Sequence, residues 1–516
     1  MTESSQSKSI APVIAELGAQ LSPAVTDENL QISGVAYDSR KVVKGTAFFC
    51  IPGDHVDGNQ FIPEALKQGA ACVFTEDAPP DLKIPAVIVP DVRLALAMVA
   101  AHFYDKPSEQ MRLIGVTGTN GKTTTTHLIE RMFDDAGLKT GLIGTLGARS
   151  AVDAQYSEAK HTTPQSADLQ RVLAEMRDSG CRYVSMEVSS HALAQKRVAG
   201  CRFAVAVLTN ITQDHLDYHK TMEHYWRSKR LLFEGLHGSP DSADGKRFAI
   251  LNHDDPLFEQ FSSVCDDSVV RLSYGWSAPA DIHVRDVSYK SGGTHLLLAT
   301  PSGELDLKLK LAGKFNVYNV MAAIAVCLVE GIDAGTIKAS LEAFPGVSGR
   351  FEVVSTGEPG EPLCIVDYAH TPDGLDNVLK AADHVLPSGG KLIVVFGCGG
   401  DRDNSKRPQM GEIAEAIAHE VVVTSDNPRS EDPQQIIANI LVGIQRMKNV
   451  KVEPDRAAAI KMAVLAAHPD DVVVIAGKGH ENYQILRDRT IPFDDRSEVL
   501  AALKERKASP SQALGG

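Results

Sequence analysis

The chain has 516 residues, of which 43% are hydrophobic and 23% charged, with a formal net charge of −14. That length predicts about three domains, and that composition predicts ordinary globular cores. The charge excludes nucleic acid as a main partner, since phosphate-backbone binding needs a basic face, and fits small anions held by locally gathered cations.

The eight cysteines, Cys50, Cys72, Cys181, Cys201, Cys265, Cys327, Cys364 and Cys398, form no CxxC pair, and most sit in apolar runs. They read as free thiols in a reducing cytosol. The N-terminus has no apolar stretch long enough for a signal peptide, and no run reaches the ~18 apolar residues of a membrane span. A cytoplasmic protein is expected.

Three blocks follow in chain order, together predicting an α/β fold of three domains. Residues 1–105 form a small α/β unit: Phe48–Ile51 and Ala71–Phe74 read as buried strands, Ile62–Gln68 as a helix, and the polar, Gly-rich loop around Asp54 and His55 as exposed. Residues 106–345 alternate strand and helix patterns. The strands are Tyr183–Val188, Ala204–Thr209 and Phe248–Asn252, and the helices Ala167–Asp178, Tyr225–Leu236 and Asn319–Val329. The alternation implies a largely parallel sheet with helices on both faces. Residues 346–516 repeat it as a doubly wound, Rossmann-like sheet, with continuous apolar runs at Leu363–Asp367, Lys391–Phe396, Glu420–Thr424 and Asp471–Ala476. Ligands of such sheets bind beyond the carboxyl ends of the strands.

The central block opens on Ile114–Thr126, IGVTGTNGKTTTT, an apolar strand, a Gly-rich turn and a helix start in that order. This is a phosphate cradle, in which loop N–H groups and the helix N-terminus face phosphate oxygens. Lys122 would reach the terminal phosphates, and the Thr123 hydroxyl would ligate Mg²⁺. The standard GxxxxGK[ST] pattern needs Gly where Val116 stands, although Gly118, Gly121, Lys122 and Thr123 are in place. The strand-end run Met186–His191 offers Glu187 as a Mg²⁺ ligand or, alternatively, as a solvated residue at a helix start. Asn210–His219 packs two histidines and two aspartates into six residues, which suits a metal or phosphate role with oxygen ligands more than zinc. In the last block, Asp401-Arg402-Asp403 with Lys406-Arg407, the run Asp426–Pro433, and Gly477–Glu481 are charged strand-end loops. They read either as solvated loops or as a pocket for a molecule bearing both amine and carboxylate. Arg402 occupies the last glycine position of a dinucleotide fingerprint and rules that reading out.

Taken together, TGTNGKTTTT, HTTP, MEVSSHAL, TNITQDHLDYH, GKFNVYN, GRFE, DYAHTPDGL, FGCGGDRDNSKRP, DNPRSEDP and GKGHENYQ resemble the Mur ligase family from about Asp38 to Arg496. TGTNGKT is that family's own form of the phosphate loop. The resemblance implies three domains that hold, in order, a UDP-linked substrate, ATP and an incoming amino acid. It implies a P-loop ATPase-type central sheet and ATP-dependent addition of meso-diaminopimelate to the D-glutamate γ-carboxylate of UDP-N-acetylmuramoyl-L-alanyl-D-glutamate. This is a step in peptidoglycan precursor synthesis, taken through an acyl phosphate by a monomer with two Mg²⁺ ions.

Residue by residue, the resemblance assigns Gly118, Thr119, Asn120, Gly121, Lys122, Thr123, Thr124, Asn316, Asn319, Arg350 and Asp367 to ATP. Tyr37, Ser39, Asp54, His55, Val56, His161, Thr162, Thr163, Ser189, Gln195 and Arg197 go to the UDP-linked substrate. Arg402, Asp426, Asn427, Pro428, Arg429, Gly477 and Glu481 go to diaminopimelate, with Arg429 reading its second carboxylate and Glu481 its distal ammonium. Lys122, Glu187, His215 and Lys229 are the expected catalytic set. Lys229 matches the family's carbamylated lysine and would ligate metal as a carbamate with Thr123, Glu187 and His215. A folylpolyglutamate-synthase-like ligase and a nucleotide-binding regulatory protein without turnover are the alternatives.

Overall fold

A computed structural model describes residues 7–53, 56–77, 85–152, 154–157, 161–236, 245–290 and 293–508. These residues build three principal sheets along the chain.

The first sheet has five strands. Gly34–Ala36, Thr46–Phe49, Cys72–Thr75 and Ala86–Ile88 run parallel, and Gln20–Leu21 adds antiparallel at one edge. The predicted strands and helix appear here within two residues, the helix as Ile62–Lys67. Phe49 stacks on Phe74 with ring centroids 4.2 Å apart, in the core under the helix Val92–Phe103.

The second sheet has ten strands. Its parallel part runs in the order Thr140–Gly144, Tyr183–Glu187, Arg112–Thr117, Phe203–Leu208, Arg247–Asn252 and Val269–Gly275. Ile282–Lys290 then joins parallel, and Gly293–Thr300 and Gly303–Leu309 complete an antiparallel meander. The alternation expected across residues 106–345 misses this meander. In Gly303–Leu309 only Leu305, Leu307 and Leu309 are buried, the one-sided pattern of an antiparallel sheet that faces water. The helix Lys314–Val329 is apolar on nearly every side and lies in the core beside the phosphate-loop helix Lys122–Asp135, where Val320, Met321 and Ile324 join Ile129, Met132 and Phe133 in one cluster.

The third sheet has six strands: Glu352–Val354, Leu363–Asp367, Val472–Ala476, Leu392–Phe396, Glu420–Val423 and Val450–Val452. All are parallel except the first, which is an antiparallel edge. The four predicted strands form its middle, because Val/Ile runs buried on both faces leave a parallel sheet as the structure that pairs every backbone group. Beneath the strand ends, Arg456 and Asp495 form a fully buried ion pair, and Arg456 also donates to the carbonyls of Ser425 and Ala476. This anchors the points where two site loops leave the sheet. Among the described residues no helix is long and apolar enough to cross a membrane.

Candidate functional site

Strand Arg112–Thr117 delivers the phosphate loop into a cavity of about 440 Å³ between the second and third sheets. Two glycines permit the loop's path. Gly118 has φ +147°, and a Cβ there would lie 1.9 Å from Thr209 Oγ1; Gly121 has φ +85°, and its Cβ would lie 2.2 Å from Asn319 Oδ1. Asn210, beyond the neighbouring strand, shapes the loop by accepting from Thr119 N at 2.7 Å on its carbonyl and from Asn120 N at 2.9 Å on its side chain. Lys122 Nζ donates to the Gly118 and Thr119 carbonyls at 2.9 and 2.8 Å, which holds the cation at the loop mouth. Burial lowers its affinity for the proton, while Glu187 and Asp214 oppose that shift.

Glu187 ends the adjacent strand and is 1% exposed. Thr145, just past Thr140–Gly144, clamps both its oxygens, through N at 2.9 Å and Oγ1 at 3.0 Å. His215 has φ +56° and turns its imidazole into the same cavity beside Asp214, with Nε2 to Oδ2 at 3.3 Å. Burial lowers the imidazole to about 3, against the pull of Asp214, so it is neutral at neutral pH and able to give a lone pair. Lys229, on helix Met222–Glu234, is 2% exposed, donates to the Gly118 carbonyl at 2.7 Å and lies over the Tyr225 ring. Burial, reinforced by the charge of Lys122, pushes its amine well below the ordinary lysine range. Among the described residues no three His, Cys, Asp or Glu side chains form a metal cluster. A cation here needs oxygens beyond those of Glu187, the hydroxyl of Thr123 and the nitrogen of His215. That donor set, mostly oxygen and open to phosphate, has the chemistry Mg²⁺ selects.

The third sheet closes the cavity. Arg350 Nη2 donates to Thr123 Oγ1 at 3.0 Å, and its guanidinium lies 4.5 Å from the centre of the Tyr368 ring. Asp373, at the start of Pro372–His384, accepts from the Asn120 amide. Asp367 lines the same wall, and its carboxylate accepts from the backbone N–H groups of Phe351 and Ala369. Burial nonetheless raises its affinity for the proton. Thr119, Asn120, Gly121, Thr124, Thr162, Ser189 and Asn319 also line this cavity. Asn316 does not: its amide donates to the Ala312 carbonyl just before the helix and accepts from Asn319 one turn on.

A second cluster sits at neighbouring strand ends of the third sheet. Arg429, with φ +52°, donates to the Gly400 carbonyl at 2.8 Å. A Cβ on Gly399 would meet both Arg429 Nη1, at 2.9 Å, and Arg402 Cγ, at 3.7 Å, so two guanidinium-bearing chains flank that glycine. Asn427 donates to Glu481 Oε2 at 2.8 Å. Gly477, with φ +119°, clears space for the Asp426 carboxylate, and the Pro428 carbonyl packs on Gly400. Sequence reasoning missed Lys478. It is fully buried and donates to Asn427 Oδ1 at 3.1 Å and Glu481 Oε2 at 3.0 Å. A lysine flanked by glycines in a strand-end loop carries no local signal of burial; the partner Asn427 lies 51 residues away. Thr145 and Asp373 were also missed. Each lies in a strand-end loop, but its role depends on a partner far away in sequence. The two clusters meet at Gly349, whose Cβ would lie 2.2 Å from the His480 N, one residue from Arg350.

The remaining expected residues lie toward the first sheet. Tyr37 donates to Asp168, and Ser39 to Glu64 at 3.1 Å. Val56 is exposed, and Asp54 and His55 lie outside the described residues. Arg197 holds Gln195 through Nε and Nη2 and donates to the Thr163 carbonyl at 2.9 Å. The Thr163 hydroxyl donates to the Glu187 carbonyl, and Ser189 caps the helix Ser190–Ala194. His161 is exposed, next to Thr162, which meets Thr145 at 3.2 Å. Arg197 and Thr163 thereby link Gln195 to Glu187.

Known proteins share this arrangement. Residues 31–104 match the family described as "Mur ligase family, catalytic domain", 116–327 the "Mur ligase middle domain" and 349–479 the "Mur ligase, glutamate ligase domain". The chain is 48% identical over 482 residues to the UDP-N-acetylmuramoyl-L-alanyl-D-glutamate--2,6-diaminopimelate ligase of Halalkalibacterium halodurans, covering 93% of this chain and 96% of that one. It is 46% identical over 480 residues to the ligase of the same name from Geobacillus thermodenitrificans, with the same coverage. A solved structure of a UDP-N-acetylmuramoyl-L-alanyl-D-glutamate--2,6-diaminopimelate ligase superposes with a TM-score of 0.66 at 34% identity, over 94% of this chain and 97% of that one. The chain belongs to the Mur ligase family.

Proposed function

We propose that this protein uses ATP to join meso-diaminopimelate to the D-glutamate γ-carboxylate of UDP-N-acetylmuramoyl-L-alanyl-D-glutamate. The observation that carries the reading is the meeting of a phosphate loop with an Arg/Asn/Glu/Lys cluster at facing strand ends, tied by Arg350 on Thr123. The names of relatives sharing almost half their residues with this chain support it.

In this reading the loop N–H groups and Lys122 hold the ATP phosphates, and Arg350 approaches them from the opposite wall, so that charge on the transferring phosphoryl group meets fixed cations. The substrate γ-carboxylate attacks the γ-phosphorus, ADP leaves, and an acyl phosphate forms. The neutral amine of diaminopimelate then attacks the acyl carbon, and phosphate leaves as the amide forms. Mg²⁺, where bound by Glu187, His215 and Thr123 together with phosphate oxygens, supplies charge neutralisation. Lys229 fits carbamylation: burial favours the unprotonated amine, which adds CO₂ and gives up a proton, and the product keeps its nitrogen and gains two carbamate oxygens beside the loop. Arg429 and Arg402 bind the carboxylate absent from lysine, and the Glu481 carboxylate faces the ammonium. Residues 1–105 bind the UDP portion, 106–345 ATP and 346–516 the amino acid, in a cytoplasmic monomer.

Phosphate release measured with ATP, Mg²⁺ and the UDP-linked dipeptide tests this, with meso-diaminopimelate and L-lysine offered separately. Turnover with diaminopimelate alone is expected, and Arg429→Ala should raise its KM by about 10- to 100-fold while leaving that for ATP within a few-fold. Turnover with lysine would discard the Arg429 reading, and turnover with neither would discard the ligase.

A further inference from the structure

The Glu187 carboxylate is oriented by a residue outside the expected site set. The register of two parallel strands pairs Met186 with Ile143, which brings Glu187 alongside Gly144. A Cβ on Gly144 would lie 2.3 Å from Glu187 Oε1, so the glycine leaves the carboxylate room to lie across the strand end. Thr145 comes next in the chain. Its backbone N–H donates to Oε1 at 2.9 Å and its hydroxyl to Oε2 at 3.0 Å. The backbone of Glu187 is fixed as well: its carbonyl accepts from Thr163 Oγ1 at 2.8 Å, and that oxygen accepts from Ser189 N at 3.0 Å. A carboxylate has about four lone-pair sites. Thr145 occupies one on each oxygen, and the others remain for a cation in the cavity that both residues line.

The hydroxyl hydrogens give this arrangement a direction. Thr145 Oγ1 lies 3.2 Å from Thr162 Oγ1 as well as 3.0 Å from Glu187 Oε2. A metal-binding carboxylate carries no hydrogen, so Thr145 gives its single hydroxyl hydrogen to Glu187 and accepts the one from Thr162. Thr162 then offers only lone pairs to the cavity it lines, and what it recognises there is an N–H rather than a carboxylate or phosphate oxygen. Partners that hold a metal ligand in this way fix its orientation and set its affinity for the metal. On the ligase reading given above, we propose that Thr145 is a positioning residue that holds Glu187 for the divalent cation and, through the same hydroxyl, makes Thr162 an acceptor for an amide N–H of the UDP-linked dipeptide.

Mn²⁺ titration followed by electron paramagnetic resonance tests the clamp, on the full chain with the non-hydrolysable β,γ-imido analogue of ATP and with the analogue alone as blank. Thr145→Val removes the hydroxyl at nearly constant shape and should weaken Mn²⁺ binding by about 10- to 100-fold. Thr145→Ser keeps the hydroxyl and should restore binding to within about threefold of wild type. Circular dichroism checks that each variant is folded. Thr162→Val should keep Mn²⁺ affinity within about threefold and weaken calorimetric binding of the UDP-linked dipeptide about fivefold. With a dipeptide N-methylated at its amides that penalty should vanish, because the N–H it depends on is gone. Unchanged Mn²⁺ affinity in Thr145→Val, or a Thr145→Ser no better than it, would overturn the clamp. A Thr162→Val penalty of the same size with the N-methylated dipeptide, or no penalty at all, would overturn the acceptor. The Mn²⁺ measurement contains neither the UDP-linked dipeptide nor an amino acid, so it judges the clamp even where absent turnover has discarded the ligase.

Discussion

Arg350 Nη2 meets Thr123 Oγ1 at 3.0 Å across 227 residues of sequence, so a side chain beside the third sheet reaches the helix start that holds the phosphates. Its guanidinium is braced on the Tyr368 ring. Arg350→Ala should lower kcat by about 10²- to 10³-fold, the typical cost of one lost transition-state donor. Arg350→Lys should recover only a part, since a lysine cannot both stack and donate in the same plane. Steady-state phosphate release checks this, and a change confined to the KM for ATP would assign Arg350 to ground-state binding alone.

Gly121→Ala should remove nucleotide binding. The backbone there is left-handed, and the added Cβ would sit 2.2 Å from Asn319 Oδ1. The strained φ alone costs about 1–3 kcal/mol, enough to weaken ATP by about 5- to 150-fold. Combining it with Asn319→Ala removes the clash but leaves the strain, so titration of the double variant should recover only part of the affinity. Full recovery would mean that φ at this position is adaptable.

Lys478→Met should destabilise the third sheet by about 3–5 kcal/mol, because it strips the cation from buried Asp426 and partly buried Glu481. Lys478→Met/Glu481→Gln should lose less than the sum of the single changes, since the second substitution removes the charge left unpaired. Urea unfolding of the three variants measures the coupling, and strict additivity would show that the lysine and glutamate do not act as a pair.

Acid should destabilise the protein from about pH 6.5 downward. Burial lowers His127, His191, His219 and His370 to about 4, and His215 and His480 to about 3. The ordinary histidine value is about 6.5, so between there and pH 4 the unfolded chain takes up protons the folded chain refuses, and stability falls as pH falls. Above about pH 7 these groups contribute no slope. Urea midpoints between pH 7.5 and 4.5 should decline steadily, and a flat profile would mean that these rings are protonated in the folded state.

Much of the molecule is legible in the sequence because the signals are local. Leu363–Asp367 is found with its predicted boundaries because a run of apolar residues between polar loops pairs every backbone group only as a buried strand. The phosphate loop is legible for a related reason: glycine at 118 and 121 and the lysine that follows are needed by the turn itself, whatever surrounds it. The meander Ile282–Leu309 is less clear, because its one-sided burial depends on which face the rest of the chain covers.

What only the tertiary structure decides is which local signals become partners. Thr145 clamps Glu187 across 42 residues, Asp373 reaches Asn120 across 253, and Lys478 turns inward to Asn427 and Glu481. None of these side chains carries its role in its own neighbourhood. The chain by itself determined the strands, the phosphate cradle and the chemistry of the loops, since these follow from backbone pairing and φ preferences over a few residues. The closing of Arg350 on Thr123 and the burial that pushes the Lys229 amine below the ordinary lysine range were decided only on folding. Distance, burial and charge summation are properties of the packed molecule, not of any segment of it.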